Sequence, residues 1–163
     1  MNEELREKIV RLALLQHNKK YVHGKNGPET FDCAGLVWHI YKKVLDINVY
    51  EDGIGKSTTG KIMTSPIGKL FSYDEKDKNK DLSFLKPGDV LLFHRQSARD
   101  TEPTKDNKYP GHCGIYIGDR KFIHATILKG SVIVNDLEDI IDYSKLKPKK
   151  WVRKLVGFKR YIN

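Results

Sequence analysis

A chain of 163 residues is one domain by size, expected to run over 1–163, and is long enough to bury a core without metal or disulfide help. Its hydrophobic (39%) and charged (31%) fractions are ordinary for a globular protein, and no apolar run approaches the roughly 20 residues that span a bilayer. A net charge of +9 favours anionic partners, yet no helix-turn-helix, zinc-finger or aromatic signature points to a specific nucleic acid.

Taken in order, residues 2–16 place Leu5, Ile9, Leu12 and Ala13 on one face behind Glu3 and Glu4, which predicts an amphipathic helix. The same acidic residues, with no small-residue cleavage site, do not read as a secretory signal peptide. Residues 18–30 hold Gly24, Gly27 and Pro28 and read as a loop. Next comes Phe31-Asp32-Cys33-Ala34-Gly35-Leu36-Val37, and the spacing of Leu36, Val37, Ile40, Tyr41 and Val44 predicts a helix over 33–45. Asp32 stands where an N-cap belongs, so Cys33 falls in the first turn, where unpaired backbone N–H groups favour thiolate over thiol.

Residues 46–82 are broken by glycines and Pro66, the spacing allowing a short helix between Thr58 and Leu70 and a charged, solvated loop over 74–81. Lys86-Pro87-Gly88-Asp89 is a turn leading into a buried strand, Val90-Leu91-Leu92-Phe93. A long polar loop over 94–111 precedes strands over 113–117 and 121–125, joined by Gly118-Asp119-Arg120 as a hairpin. A fourth strand over 131–134, a short helix over 136–143 and a closing strand over 155–162 complete an α+β pattern, helices first and a strand meander after. The last stretch carries most of the basic excess: Lys145, Lys147, Lys149, Lys150, Arg153, Lys154, Lys159 and Arg160.

Two cysteines 80 positions apart, with no CxxC, exclude a disulfide scaffold and a thioredoxin-like motif, and leave one thiol for chemistry. His17, His23, His39 and His94 have no evident partner. His112 opens one strand of the hairpin and His124 closes the other, so both fall at one edge of the sheet. A helix-start thiol, a strand imidazole and a second polar group form a nucleophile, base and orienter. Zinc is disfavoured although Cys33, His112, Cys113 and His124 are all legitimate ligands, because adjacent strand residues point to opposite faces. Cys113 then reads as a small core residue behind the sheet.

These motifs together resemble the NlpC/P60 cysteine peptidases. The resemblance rests on Phe31-Asp32-Cys33-Ala34-Gly35-Leu36-Val37, Lys86-Pro87-Gly88-Asp89-Val90, Gly111-His112-Cys113-Gly114-Ile115-Tyr116-Ile117-Gly118, Phe122-Ile123-His124-Ala125 and the segment 151–161. Residues 46–82 and 94–111 match poorly and would form walls or a lid over a cleft. The resemblance implies a papain-like α+β fold, with N-terminal helices packed on a mostly antiparallel sheet. It also implies cleavage of bacterial peptidoglycan stem peptides, most often between γ-D-glutamate and the diamino acid. Cys33 then matches the nucleophile, His112 the base and His124 the third polar residue, while Tyr21 and Asp32 bind the free amino end of the stem peptide. The chemistry calls for no metal and no organic cofactor. Action at the cell wall of a bacterium, or on it by a phage, would follow, with anionic wall polymer as a partner for the basic surface.

Ala34 stands where the family usually has serine, and Lys20 and His23 flank Tyr21 in place of the usual proline and aromatic. Competing expectations are an N-acetylmuramoyl-L-alanine amidase or an acyltransferase on the same fold, and a non-catalytic polyanion- or wall-binding module.

Overall fold

A computed structural model of the chain describes residues 1–73, 82–97, 111–138 and 151–163. The first helix, α1 (Asn2–Leu14), has Glu3 and Glu4 in its first turn and Arg11 in its last, each sign complementing the helix dipole. It buries Ile9, Ala13 and the stem of Arg6. The Arg6 guanidinium donates to the carbonyls of Pro87 (2.9 Å) and Ile162, which fastens α1 to the turn before the sheet and to the end of the chain. Helix α2 (Cys33–Leu45) has the bounds expected from its periodicity. Asp32 caps it, Oδ1 accepting from the Gly35 N–H at 2.7 Å, and Asp46 closes it in the left-handed conformation. Its buried stripe includes Leu36, Val37, Ile40 and Tyr41.

Helix α3 (Thr58–Thr64) stops well before Leu70. Ser65 precedes Pro66, and proline drives the residue before it out of the helical region; Ser65 is extended, with ψ of 140°. The chain instead enters a strand, β3 (Lys69–Ser72). The loop expected over 18–30 contains two short strands, β1 (Lys20–Tyr21) and β2 (Thr30–Phe31), paired in parallel. Two residues carry no readable period, so nothing in the side-chain pattern marks them.

The remaining strands are β4 (Val90–Ser97), β5 (His112–Gly118), β6 (Lys121–Thr126), β7 (Ser131–Asp136) and β8 (Trp151–Arg160). They build one eight-stranded sheet in the order β2-β1-β7-β6-β5-β4-β8-β3, antiparallel except for β1 with β2. β4 outlasts its apolar run because β8 pairs with it as far as Ser97 opposite Trp151. Asp136, expected to open a helix, is the last residue of β7, paired with Lys121 and ion-paired to it at 2.8 Å. The expected loop over 74–81, most of the loop over 94–111 and most of the short helix expected over 136–143 lie outside the described residues.

Two hydrophobic clusters flank the sheet. The larger joins α1 and α2 to Val90, Leu92, Cys113, Ile115, Ile123, Ala125 and Val132. The smaller gathers Leu91, Phe93, Tyr116, Phe122, Leu155 and Phe158 on the other side. Two members of the expected basic face are removed from it. Lys159 is 1% exposed, its ammonium donating to the carbonyls of Ser65 and Ile67, and burial lowers its pKa to about 8. Arg160 holds the fully buried Asp89 through two bonds of 2.9 and 2.7 Å. Both cations are spent inside the fold, because β8 lies between β4 and β3 and its last two residues meet partners from distant segments.

Candidate active site

The Cys33 thiol stands at the start of α2, half-buried, where the helix meets β5 and α3. Its Sγ lies 3.8 Å from Thr59 Oγ1, and the same hydroxyl lies 3.7 Å from Cys113 Sγ. The Cys33 pKa falls from 9.0 to about 7. The largest cause is a hydrogen bond from the Cys113 side chain, opposed by burial and by the Asp32 charge; Thr59 and the Cys113 backbone amide add to the lowering. Cys113 directly follows His112, the first residue of β5. Cys113 carries the reverse effect: its bond to Cys33, burial and the neighbouring negative charge push it well above 9.0.

His112 and His124 are brought together. His112 Nε2 is 2.8 Å from His124 Nδ1, and His124 Nε2 is 2.8 Å from Asn135 Oδ1. The acceptor at the end decides the protons. An amide oxygen only accepts, so His124 donates from Nε2 and, when neutral, accepts at Nδ1. His112 then donates from Nε2, and in its neutral form Nδ1 carries the lone pair. Both rings are buried beside Phe93 and Phe122, which fixes their planes. The relay thus presents one basic nitrogen of a set tautomer at the first residue of β5.

Asp32 holds the loop before the helix as well as the helix itself, Oδ2 accepting from the Gly24 N–H at 2.9 Å. The chain can approach so closely because of Gly35, whose missing Cβ would stand 2.1 Å from the Lys25 carbonyl oxygen. Tyr21 is half-buried on β1 opposite Phe31, the residue before Asp32, and its N–H donates to the Gly130 carbonyl. Tyr21 and Asp32 are therefore carried by the same short parallel ladder. Ala34 is buried against the core. His39, without a partner in the sequence, packs edge-on to Phe31 at 5.2 Å as a core ring, its pKa lowered by burial. Among the described residues no three His, Cys, Asp or Glu side chains gather as a metal site would require.

Thr59 and Asn135 escaped the sequence reading. Ser57 caps α3 through the Gly60 N–H at 2.9 Å, a signal that marks the helix carrying Thr59. Asn135 alternates with Val132 and Val134, so strand period alone puts it on the face that His124 occupies. Cys113 is buried as expected, but it lies against Cys33 and not merely behind the sheet.

Helices on one face of a mostly antiparallel sheet, with a thiol in the first turn of a central helix, define a papain-like α+β protein. The NlpC/P60 family model matches residues 18–160, and the chain belongs to that family. It is 30% identical over 122 residues to the gamma-DL-glutamyl hydrolase of Bacillus subtilis, covering 75% of this chain and 23% of that protein. It is 30% identical over 158 residues to the murein DD-endopeptidase MepH of Escherichia coli, covering 95% of this chain and 46% of that protein. The chain thus spans a quarter to a half of these curated relatives. Among solved structures, NlpC2 from Trichomonas vaginalis superposes with a TM-score of 0.64 at 25% identity, over 96% of this chain and 47% of that one. The NlpC/P60 domain of the peptidoglycan hydrolase SagA superposes with a TM-score of 0.60 at 20% identity, over 95% of this chain and 97% of that domain, a likeness of fold.

Proposed function

We propose that the protein is a cysteine endopeptidase of bacterial peptidoglycan stem peptides, with Cys33 as nucleophile, His112 as base and His124 as its orienting partner. The observation that carries this reading is the Cys33 thiol, lowered to about 7 beside the strand whose first residue, His112, is locked to His124. Near neutral pH such a thiol is substantially thiolate and still a good nucleophile. Thiolate attack on the peptide carbonyl places negative charge on oxygen, and backbone N–H groups at the start of α2 are suited to receive it, an effect worth roughly 3 kcal/mol per donor. His112 gives a proton to the leaving amine, and water then releases the acyl group from sulfur.

The bond between γ-D-glutamate and the diamino acid is the favoured target. Asp32 keeps lone pairs on both oxygens beyond its two backbone bonds, so it can also receive a substrate ammonium beside Tyr21. The relatives' names divide between a γ-glutamyl bond and a DD-peptide bond. Incubation with defined tri- and tetrapeptide stems, beside Cys33→Ala, with products identified by mass, separates the two. Release of an intact stem peptide from the sugar would replace this reading with an amidase. Equal products from protein and Cys33→Ala would end it. The net charge of +9 suits adsorption to anionic wall polymer, and binding to whole walls should then weaken above roughly 0.3 M salt.

A further inference from the structure

We infer that Cys33 and Cys113 form an oxidant-responsive pair, in which a peroxide converts the Cys33 thiol into a Cys33–Cys113 disulfide. Thr59 Oγ1 touches both sulfurs, at 3.8 and 3.7 Å, where α2, α3 and β5 meet, and each thiol is the largest single influence on the acidity of the other. Both cysteines are unbridged in the fold described, and they are the chain's only two. The single proton of the Thr59 hydroxyl is directed to Cys113 Sγ, so the contact holds the second thiol in place beside the first. A second thiol does something a hydroxyl cannot.

The two sulfurs differ in the way such a pair requires. Cys33 is half-exposed and readily ionised, whereas Cys113 is buried and held protonated. Peroxide therefore meets Cys33 first. The Cys33 thiolate attacks one oxygen, the O–O bond breaks, and the departing hydroxide takes a proton to become water, leaving a sulfenic acid. The negative charge that kept Cys113 protonated is now gone. Cys113 loses its proton and attacks the Cys33 sulfur; the S–O bond breaks and hydroxide leaves with that proton as a second water. One peroxide is reduced to two waters while two thiols are oxidised to one disulfide. The nucleophile is blocked, yet a thiol reductant returns it. Without Cys113 the sulfenic acid has no thiol beside it in this chain and is open to the irreversible sulfinic and sulfonic stages.

Only the loss of hydrolysis rests on Cys33 being the nucleophile; the bridge itself does not. The test is accordingly read on the protein's mass. The full chain is treated with hydrogen peroxide, alkylated without reduction, digested and weighed, beside Cys113→Ala and Cys113→Val, two variants that fill the site differently. The expected product is a peptide joining Cys33 to Cys113, short of two hydrogens and lost on adding dithiothreitol, with Cys33 labelling recovered. In the variants Cys33 should gain two or three oxygens, and recovery after dithiothreitol should drop at least about tenfold. Oxygen addition to Cys33 of the unaltered chain as fast as in the variants, with no joined peptide, overturns the proposal. Should neither variant fold, the joined peptide in the unaltered chain decides alone. Hydrolysis of stem peptides, measured on the same samples, fails independently if the peptidase reading is wrong.

Discussion

Two neighbouring residues of β5, His112 and Cys113, are held under opposite rules. His112 packs on the Phe93 ring and bonds to His124, which bonds in turn to Asn135, each contact 2.8 Å long. Cys113 points into the helix-covered core, where three soft or hydroxylic groups share longer contacts of 3.7 and 3.8 Å. One side fixes a proton's position through rigid, short bonds between rings. The other sets how easily a proton leaves, through a polarisable contact that tolerates small shifts. Orientation and acidity thus rest on different partners, so the two properties should respond to different substitutions.

The relay side should show the largest effect. His112→Ala should cut hydrolysis of a stem peptide at least about 10⁴-fold, since it removes the group that protonates the leaving amine. His124→Ala should cost roughly 10²–10⁴-fold by freeing the wrong tautomer. Asn135→Ala loses one hydrogen bond of about 1 kcal/mol and so about fivefold. Steady-state kcat on one defined stem peptide orders the three. A loss for Asn135→Ala equal to that for His124→Ala would break the view of a relay that weakens outward.

Gly35 links the thiol side to the backbone. A Cβ there meets the carbonyl of Lys25 at 2.1 Å and the Cα of Asn26 at 2.8 Å, both backbone atoms that yield poorly. Gly35→Ala gains about 1 kcal/mol of helix propensity but overpacks by more, typically 1–3 kcal/mol. Net destabilisation should appear as a lower urea midpoint, with the Asp32 bonds to Gly24 and Gly35 displaced. A midpoint at or above that of the unaltered protein would show that the 24–26 loop gives way freely.

How much of this was legible follows from period and from distance along the chain. α2 was read with its correct bounds because Leu36, Ile40 and Tyr41 repeat at helical spacing and Asp32 signals the cap. The hairpin that sets His112 beside His124 was read from two strands and a turn, all local features. Hidden features depend on contacts between distant segments. Thr59 meets Cys113 across 54 positions and Lys159 meets Ser65 across 94, and no local pattern encodes either meeting. Lys159 and Arg160 looked like surface charge for the same reason: their partners, Ser65, Ile67 and Asp89, lie far away in the chain.

The smallest effect tests the thiol side directly. Thr59→Val keeps the shape of the side chain and removes the one hydroxyl in contact with both sulfurs. Thr59 is among the groups that lower the Cys33 pKa, so losing its hydroxyl must raise it, from about 7 toward the 9.0 of an unperturbed thiol. One bond of about 1 kcal/mol corresponds to roughly 0.7 pH unit. The rate of Cys33 alkylation by iodoacetamide against pH should therefore keep its form while its inflection moves upward by that amount. Cys113→Ala should move it further, because the Cys113 side chain is the largest cause of the lowering. His124→Ala, which removes none of the groups that set the acidity of Cys33, should leave its inflection nearer its original place than either. If His124→Ala shifts it more than Thr59→Val, the imidazole relay governs the acidity of the sulfur, and the division of labour across β5 is wrong.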